Sequence, residues 1–420
     1  MTNIQKAILS GIICNMIVWY EMTLFGVSVN ILSNVFFPSE SHYSSTTKFL
    51  VTIAVGFGFR PIGALIFGYV SDRYGRKKML LLSVILVSIP STIIGIIPSY
   101  KEIGILSPVL LVFCRIIQGT AAGGELGINS AFLIESSKSK KNLGFLGSLK
   151  AFSGGLGSVL CFIMISICQN FTNENYEIWG WRLLFYFCFF MGIIGFLMRY
   201  IMEESLAYKT HKTRGDLSNS PFLELIKDHK RAFILSIGLG IAQNSIVYSV
   251  IMSYNIYIKE LILFGFDIKN LLRIIVDIIF GIFAVLFATL SDKIGRKNVM
   301  IPVLIILIFI SLPVFLVMHS NNHYIIIFTY MLFSIPIAAS FGVYNAIISE
   351  LFPTKVRCTG FSLANNISAG VFGGISPYIC MWLIKQTGTE FSSGIYLVIC
   401  ALISFISILQ IKPQDKKIDW

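Results

Sequence analysis

The feature that most limits what this chain can become is a series of apolar runs, each about 20 residues or longer, separated by short polar or turn-rich segments. A run of that length crosses roughly 30 Å of hydrocarbon as a helix, whereas barrel strands would be shorter and would alternate apolar with polar residues. About twelve spans are expected, near 7–33, 47–70, 79–98, 105–134, 142–168, 181–202, 231–258, 271–290, 298–318, 323–349, 358–385 and 391–411. The expected fold is thus an all-α integral membrane protein. Composition excludes a string of soluble domains, since 55% of the 420 residues are hydrophobic, 13% are charged and the mean hydropathy is +0.78. The first run is too long for a signal-peptide core and no small-residue cleavage site follows it, so it is expected to remain as the first span.

A short cationic segment with a glycine hinge occurs twice. G-Y-V-S-D-R-Y-G-R-K-K at 68–78 returns as A-T-L-S-D-K-I-G-R-K-N at 288–298, with Ser, Asp, Gly, Arg and Lys in phase. An offset this large signals a duplicated multi-helix unit and not a solenoid, whose periods are tens of residues. The expected organisation is a six-helix unit over 1–202, a linker over 203–230, and a second six-helix unit with a short tail over 231–420.

The net charge of +12 gathers at the ends of apolar runs, which favours orientation by the positive-inside rule over nucleic-acid binding. Alternate loops carry it: Arg73, Arg76, Lys77 and Lys78; Lys138, Lys140 and Lys141; the stretch 199–231; Lys293, Arg296 and Lys297; Lys355 and Arg357; and Lys412, Lys416 and Lys417. Both termini and the linker are expected on the cytoplasmic side of a cell inner membrane. The eight cysteines lie within or beside apolar runs without C-x-x-C spacing and read as buried hydrophobes, so no metal and no cofactor are expected. No Walker A loop, G-x-S-x-G or H-E-x-x-H pattern occurs, which excludes the corresponding enzyme chemistries and ATP as the energy source.

Gly119, Gly123 and Gly127 recur every four residues and share one face of the fourth span, so a neighbouring backbone is expected to approach closely there. The fifth and eleventh spans hold similar glycine faces at 144, 147, 154, 155 and 157 and at 370, 373 and 374. Prolines at 61, 302, 313, 336 and 377 permit kinks.

Ionisable residues within spans each cost about 2.5–3.5 kcal/mol even by the lower estimates, so each calls for a partner or a function. Arg60 beside Pro61 has freed carbonyls to bond, Glu125 has basic neighbours near the inner end of its span, and Asp277 has Arg273 one turn earlier. Glu21, Arg115 and Lys150 have no partner within a turn of their own helices, which points to a polar cavity shared between helices. Arg115 and Lys150 each lie about 12 Å from an end of adjacent spans and both reach one cavity on this reading; the alternative is that Arg115 braces the fourth span. A guanidinium and an ammonium there suit a carboxylate, while Trp19 and Tyr20 offer aromatic faces to a quaternary amine.

These residues resemble the major facilitator superfamily, and within it the metabolite:proton symporters that include proline/betaine, shikimate, 2-oxoglutarate and citrate carriers. The resemblance rests on the G-x-x-x-D-R-x-G-R-K segment and its relic, on R-x-x-Q-G at 115–119 with G-G-E at 123–125, on Arg60-Pro61-Ile-Gly63, on Trp19-Tyr20 followed by an acid, and on E-L-F-P-T-K-V-R at 350–357. Where the group usually carries Glu before Trp-Tyr, Val18 stands here, and Glu21 replaces the usual Asp. The resemblance implies two six-helix bundles rocking about a central site, gated by Asp72, Arg73 and Arg76 with Asp292 and Arg296. It further implies monomeric, proton-coupled symport of a small carboxylate or zwitterion, with sodium as the other available ion. Trp19, Tyr20, Arg115 and Lys150 are then expected to bind substrate, and Glu21, Glu125 and Asp277 to carry the proton. A membrane receptor that binds such a ligand without accumulating it is the alternative.

Overall fold

The computed structural model describes residues 3–39, 42–137, 140–258, 265–318, 322–389 and 391–415; Lys138, Lys416 and Lys417 lie outside them. No strand occurs among the described residues, and twelve helices are long and apolar enough to cross a membrane. They form two six-helix bundles. In the first, the spans are Ile4–Val27, Ser44–Tyr74, Arg76–Ile96, Leu106–Glu135, Leu143–Gly180 and Arg182–Tyr200. In the second they are Lys230–Ser249, Leu271–Ile294, Arg296–Val314, Tyr324–Leu351, Arg357–Thr387 and Phe391–Gln410.

The duplicated segment is less of a loop than its polarity suggests. The second span stays helical through Asp72 to Tyr74, the third begins at Arg76, and the whole reversal falls on Gly75 at φ 113°. Gly295 does the same between the eighth and ninth spans at φ 99°. Both angles lie where a side chain is strained, which is why glycine stands at the hinge. At Gly75 space is also short, because an added Cβ would come within 2.5 Å of Glu204 Oε2. The first span likewise departs from the expected 7–33: its helix ends at Val27, and a separate helix, Val29–Phe36, turns Leu32 and Phe36 into the core beside Trp181.

The glycine faces of the fourth and fifth spans bring backbones together, whereas that of the eleventh does not, since Gly370 has open space around it and Gly373 meets the Tyr248 ring. A Cβ at Gly119 would collide with Gly56 O and one at Gly123 with Arg60 O, so the fourth span lies directly on the second; Gly127 seats Ser362 of the eleventh. In the fifth span, Gly144, Gly147 and Gly155 press on Ala288, Ala346 and Asp277 of the second bundle. The two bundles therefore meet along spans two and eleven on one side and along spans five, eight and ten on the other. Prolines 61, 90, 302, 313, 336 and 377 all lie inside helices. Near Pro377 the eleventh span widens into a π-helical turn over Ser368–Gly373, as happens where a helix loses a backbone donor.

Between the bundles, the stretch after Tyr200 folds into two short helices, Leu206–Thr213 and Pro221–Asp228. Outside the spans, Glu224 pairs with Lys355 at 2.5 Å. Burial pushes the Glu224 carboxyl up, but the bonds from Lys355 and Ser218 outweigh it and hold the group below its ordinary value.

Candidate functional site

A cavity lies between the bundles, walled by the fifth span on one side and the eighth and tenth on the other. Its size is about 110 Å³. Positions 334, 337, 341 and 345 fall on one helical face, which is how the tenth span lines it with Ser334, Ile337, Phe341 and Asn345. Most of the wall is apolar, and the polar groups are few: Lys150, Asn345, Arg273, Asp277, Tyr330, the hydroxyls of Ser158 and Ser334, and the indole of Trp19. Such a site fixes orientation by a handful of polar contacts inside an apolar shell.

Lys150 is 8% exposed, with its Nζ 3.5 Å from Asn345 Oδ1 and 5.2 Å from the centre of the Phe361 ring. Among the described residues it makes no ion pair. Across the cavity Arg273 Nε donates to Asp277 Oδ2 at 3.2 Å and Arg273 Nη1 to Tyr330 OH at 2.9 Å. The local pair expected for Asp277 is present, and it faces the cavity. Trp19 lines the same space with its Nε1 unbonded.

Tyr20 and Arg115 do not line it. One residue on from Trp19, Tyr20 turns into the first bundle and donates to Leu184 O at 3.1 Å. Arg115 pairs with Glu21, donates to Gln118 Oε1 at 3.1 Å and stacks 3.9 Å from the Phe25 ring centre. The cavity expected to unite Glu21, Arg115 and Lys150 is corrected accordingly: Glu21 and Arg115 neutralise each other across two helices, and Lys150 alone of the three opens on the seam. Glu125 also has a partner, but from the sixth span: Arg199 pairs with one of its oxygens and Ser83 donates to the other. Arg60, 5% exposed, donates to Met22 Sδ at 3.2 Å and lies 3.8 Å over the Phe57 ring, with no carboxylate paired to it among the described residues. Among the described residues, Lys150 and Arg60 are thus buried cations without acids.

At the end that carries the basic clusters, the duplicated segment builds the same device twice. Asp72 accepts from Cys358 N at 3.1 Å and Thr359 N at 2.8 Å, capping the start of the eleventh span. Asp292 accepts from Gly144 N at 2.8 Å and Phe145 N at 2.9 Å, capping the start of the fifth. In each case a carboxylate of one bundle meets the positive end of a helix in the other. Arg76 then spans Asp72 at 3.3 Å and Glu135 at 3.0 Å and donates to Thr354 O at 2.6 Å; Arg296 spans Asp292 at 2.7 Å and Glu350 at 2.9 Å. Arg357 reaches across to Glu135 at 2.9 Å. Arg73 takes no part, since its guanidinium bonds Tyr69 and the Asn219 carbonyl.

Glu135 is the member that sequence reasoning missed. It ends the fourth span as Glu350 ends the tenth, and an acid at a helix C-terminus, where the dipole disfavours it, was the signal available.

The sequence profile of the Major Facilitator Superfamily matches residues 11–377 and 275–418. The chain belongs to that superfamily. It is a transporter and not an enzyme. The proline/betaine transporter of Salmonella typhimurium is 32% identical over 99% of this chain and 84% of its own length, and the glycine betaine/proline/ectoine/pipecolic acid transporter OusA of Dickeya dadantii is 30% identical over the same shares. A solved structure of the proton:xylose symporter XylE with 6-bromo-6-deoxy-D-glucose superposes with a TM-score of 0.79 at 19% identity, covering 97% of this chain and 94% of that one. The cavity lies where the two bundles meet, and the paired acid caps join the same two bundles at the end that carries the basic clusters.

Proposed function

We propose that this major facilitator protein is a secondary active transporter that carries a small zwitterion or carboxylate of the proline and glycine betaine kind together with a proton. The observation that carries the reading is Lys150, a buried ammonium beside an aromatic cavity and without an acidic partner among the described residues. A buried cation left unpaired is costly, and a substrate carboxylate supplies the missing charge. Trp19, Phe280, Phe341 and Tyr330 then offer ring faces to the substrate's ammonium, with Asp277 behind them. The names of the relatives, which include proline and glycine betaine, support the same class.

For coupling we assign Glu21, whose pairing with Arg115 would be broken by a proton and restored by its release; Glu125 and Asp277 are the other acids available. Asp72, Arg76, Asp292 and Arg296 gate the basic end. That end is assigned to the cytoplasm of an inner membrane, together with both termini and the 203–230 linker between units 1–202 and 231–420.

The test is uptake of radiolabelled proline and glycine betaine into proteoliposomes under an imposed pH gradient, with a sodium gradient as the parallel arm. Accumulation that a protonophore collapses is expected, and Lys150→Gln should raise KM about tenfold or more, the value of one charge-assisted bond. Binding without accumulation would leave the receptor reading, and an unchanged KM would remove Lys150 from the site.

A further inference from the structure

We infer that the groove between the second span and the helix Pro221–Asp228 is a phospholipid site, with an acyl chain along Leu65, Ile66 and Leu223 and the phosphate at Arg73. The groove measures about 400 Å³, and Val70 and Phe222 complete its apolar wall. Residues 65, 66, 69, 70 and 73 follow one another along one face of the second span toward the basic end. Along that face the chemistry passes from aliphatic carbon at Leu65 and Ile66, through the hydroxyl of Tyr69, to the guanidinium of Arg73. A phospholipid presents acyl chain, ester and phosphate in the same order.

Arg73 is suited to that phosphate because nothing acidic occupies it. Its Nη1 donates to Tyr69 OH at 2.8 Å and to Asn219 O at 3.5 Å, both neutral, and among the described residues it makes no ion pair. A planar guanidinium with donors to spare binds a phosphate oxygen pair more firmly than an ammonium does.

The occupant is a membrane lipid and not a soluble partner because the groove continues the bilayer-facing surface. Ile62 and Ile66 of the second span are each 48% exposed, and Phe222 and Leu223 extend that apolar surface at 38% and 60%. The second wall is fixed independently: Pro221 opens its helix at a position that needs no N–H, Leu225 is wholly buried in the core of the second bundle, and Glu224 holds Lys355. A lipid in the groove therefore touches the first bundle through the second span and the second bundle through this docked helix. The helix Pro221–Asp228 packs on the second, seventh and eleventh spans, so Lys293, the duplicate of Arg73 at the end of the eighth, serves as an internal control.

The experiment is native mass spectrometry of the full-length protein released from nanodiscs of phosphatidylethanolamine and phosphatidylglycerol, with melting in lipid-free detergent as the check on folding. One phospholipid should persist on the wild type. Arg73→Gln should lower its occupancy about tenfold, as expected for one charge-assisted phosphate contact. Ile66→Trp should do the same by filling the groove, with Leu223→Gln as the substitute readout if the tryptophan variant melts early, and Lys293→Gln should leave the lipid bound. Retention of either lipid supports a phosphate site, and retention of phosphatidylglycerol alone supports one that reads net charge. Wild-type occupancy in both Arg73→Gln and the groove variants, or equal loss in Lys293→Gln, would overturn the assignment.

Discussion

Lys150 and Arg115 make a contrast at the scale of single residues, because both are buried cations of the first bundle and only one is paired. Arg115 is neutralised by Glu21 and held by Gln118, whereas Lys150 meets only an amide and a ring. Their substitutions should therefore separate. Arg115→Lys keeps the charge but not the position of Nη1, the one nitrogen that serves both Glu21 and Gln118, so we expect weakened gradient-driven uptake with little change in apparent affinity, the reverse of Lys150→Gln. Glu21→Gln should abolish accumulation against a gradient while sparing exchange of labelled for unlabelled substrate; undiminished uphill uptake would pass the coupling role to Glu125 or Asp277. The sequence makes it plain that these charges sit inside spans, and the Arg273 to Asp277 pair is legible from its one-turn spacing. Partners across helices are another matter. Whether Glu21 meets Arg115 or looks into the seam depends on how two helices are rotated about their axes, and Tyr20 turns inward where Trp19 does not because successive residues on a helix point about 100° apart.

The elements are governed by single glycines more than by loops. Gly75 and Gly295 each carry the whole reversal between two spans, at φ 113° and 99°. Alanine at either position takes on backbone strain of about 1–3 kcal/mol. Only Gly75 adds a collision, with Glu204, so Gly75→Ala should lower the melting temperature in detergent more than Gly295→Ala; equal shifts would deny the linker contact its place. Gly123→Ala, driven against Arg60 O, should cost about 1–3 kcal/mol by overpacking, read in the same melting assay. The four-residue spacing of Gly119, Gly123 and Gly127 announces this face before any coordinates. It does not reveal that the face is divided, two glycines meeting the second span and the third meeting Ser362 of the other bundle, because spacing on one helix says nothing about which neighbours lie along its length.

At the scale of the whole molecule, two caps and the arginines beside them tie the bundles together at one end, and the gate proposed there should weaken when either cap is lost. Asp72→Asn keeps the shape but removes the charge that faces the start of the eleventh span, and Arg76→Ala opens the link to Glu135 and Thr354. Both variants should remain folded and inserted yet transport more slowly, with raised reactivity of a cysteine introduced in the cavity toward reagents from the basic side; normal transport by both would dismiss the gate. A cysteine at Lys212 should escape labelling from outside intact cells once the native cysteines are replaced, and efficient labelling there would invert the topology. The two-bundle plan is readable from the repeat alone, whereas the mutual capping is not, since the backbone N–H groups that Asp72 and Asp292 find belong to no motif. That capping is reciprocal: each half offers a carboxylate and receives one. Each half also carries its own basic cluster beside its own hinge glycine. A chain severed in the exposed turn at Gly215 should accordingly yield two fragments that insert in the same sense and recognise one another without a covalent tether, as hand and glove do.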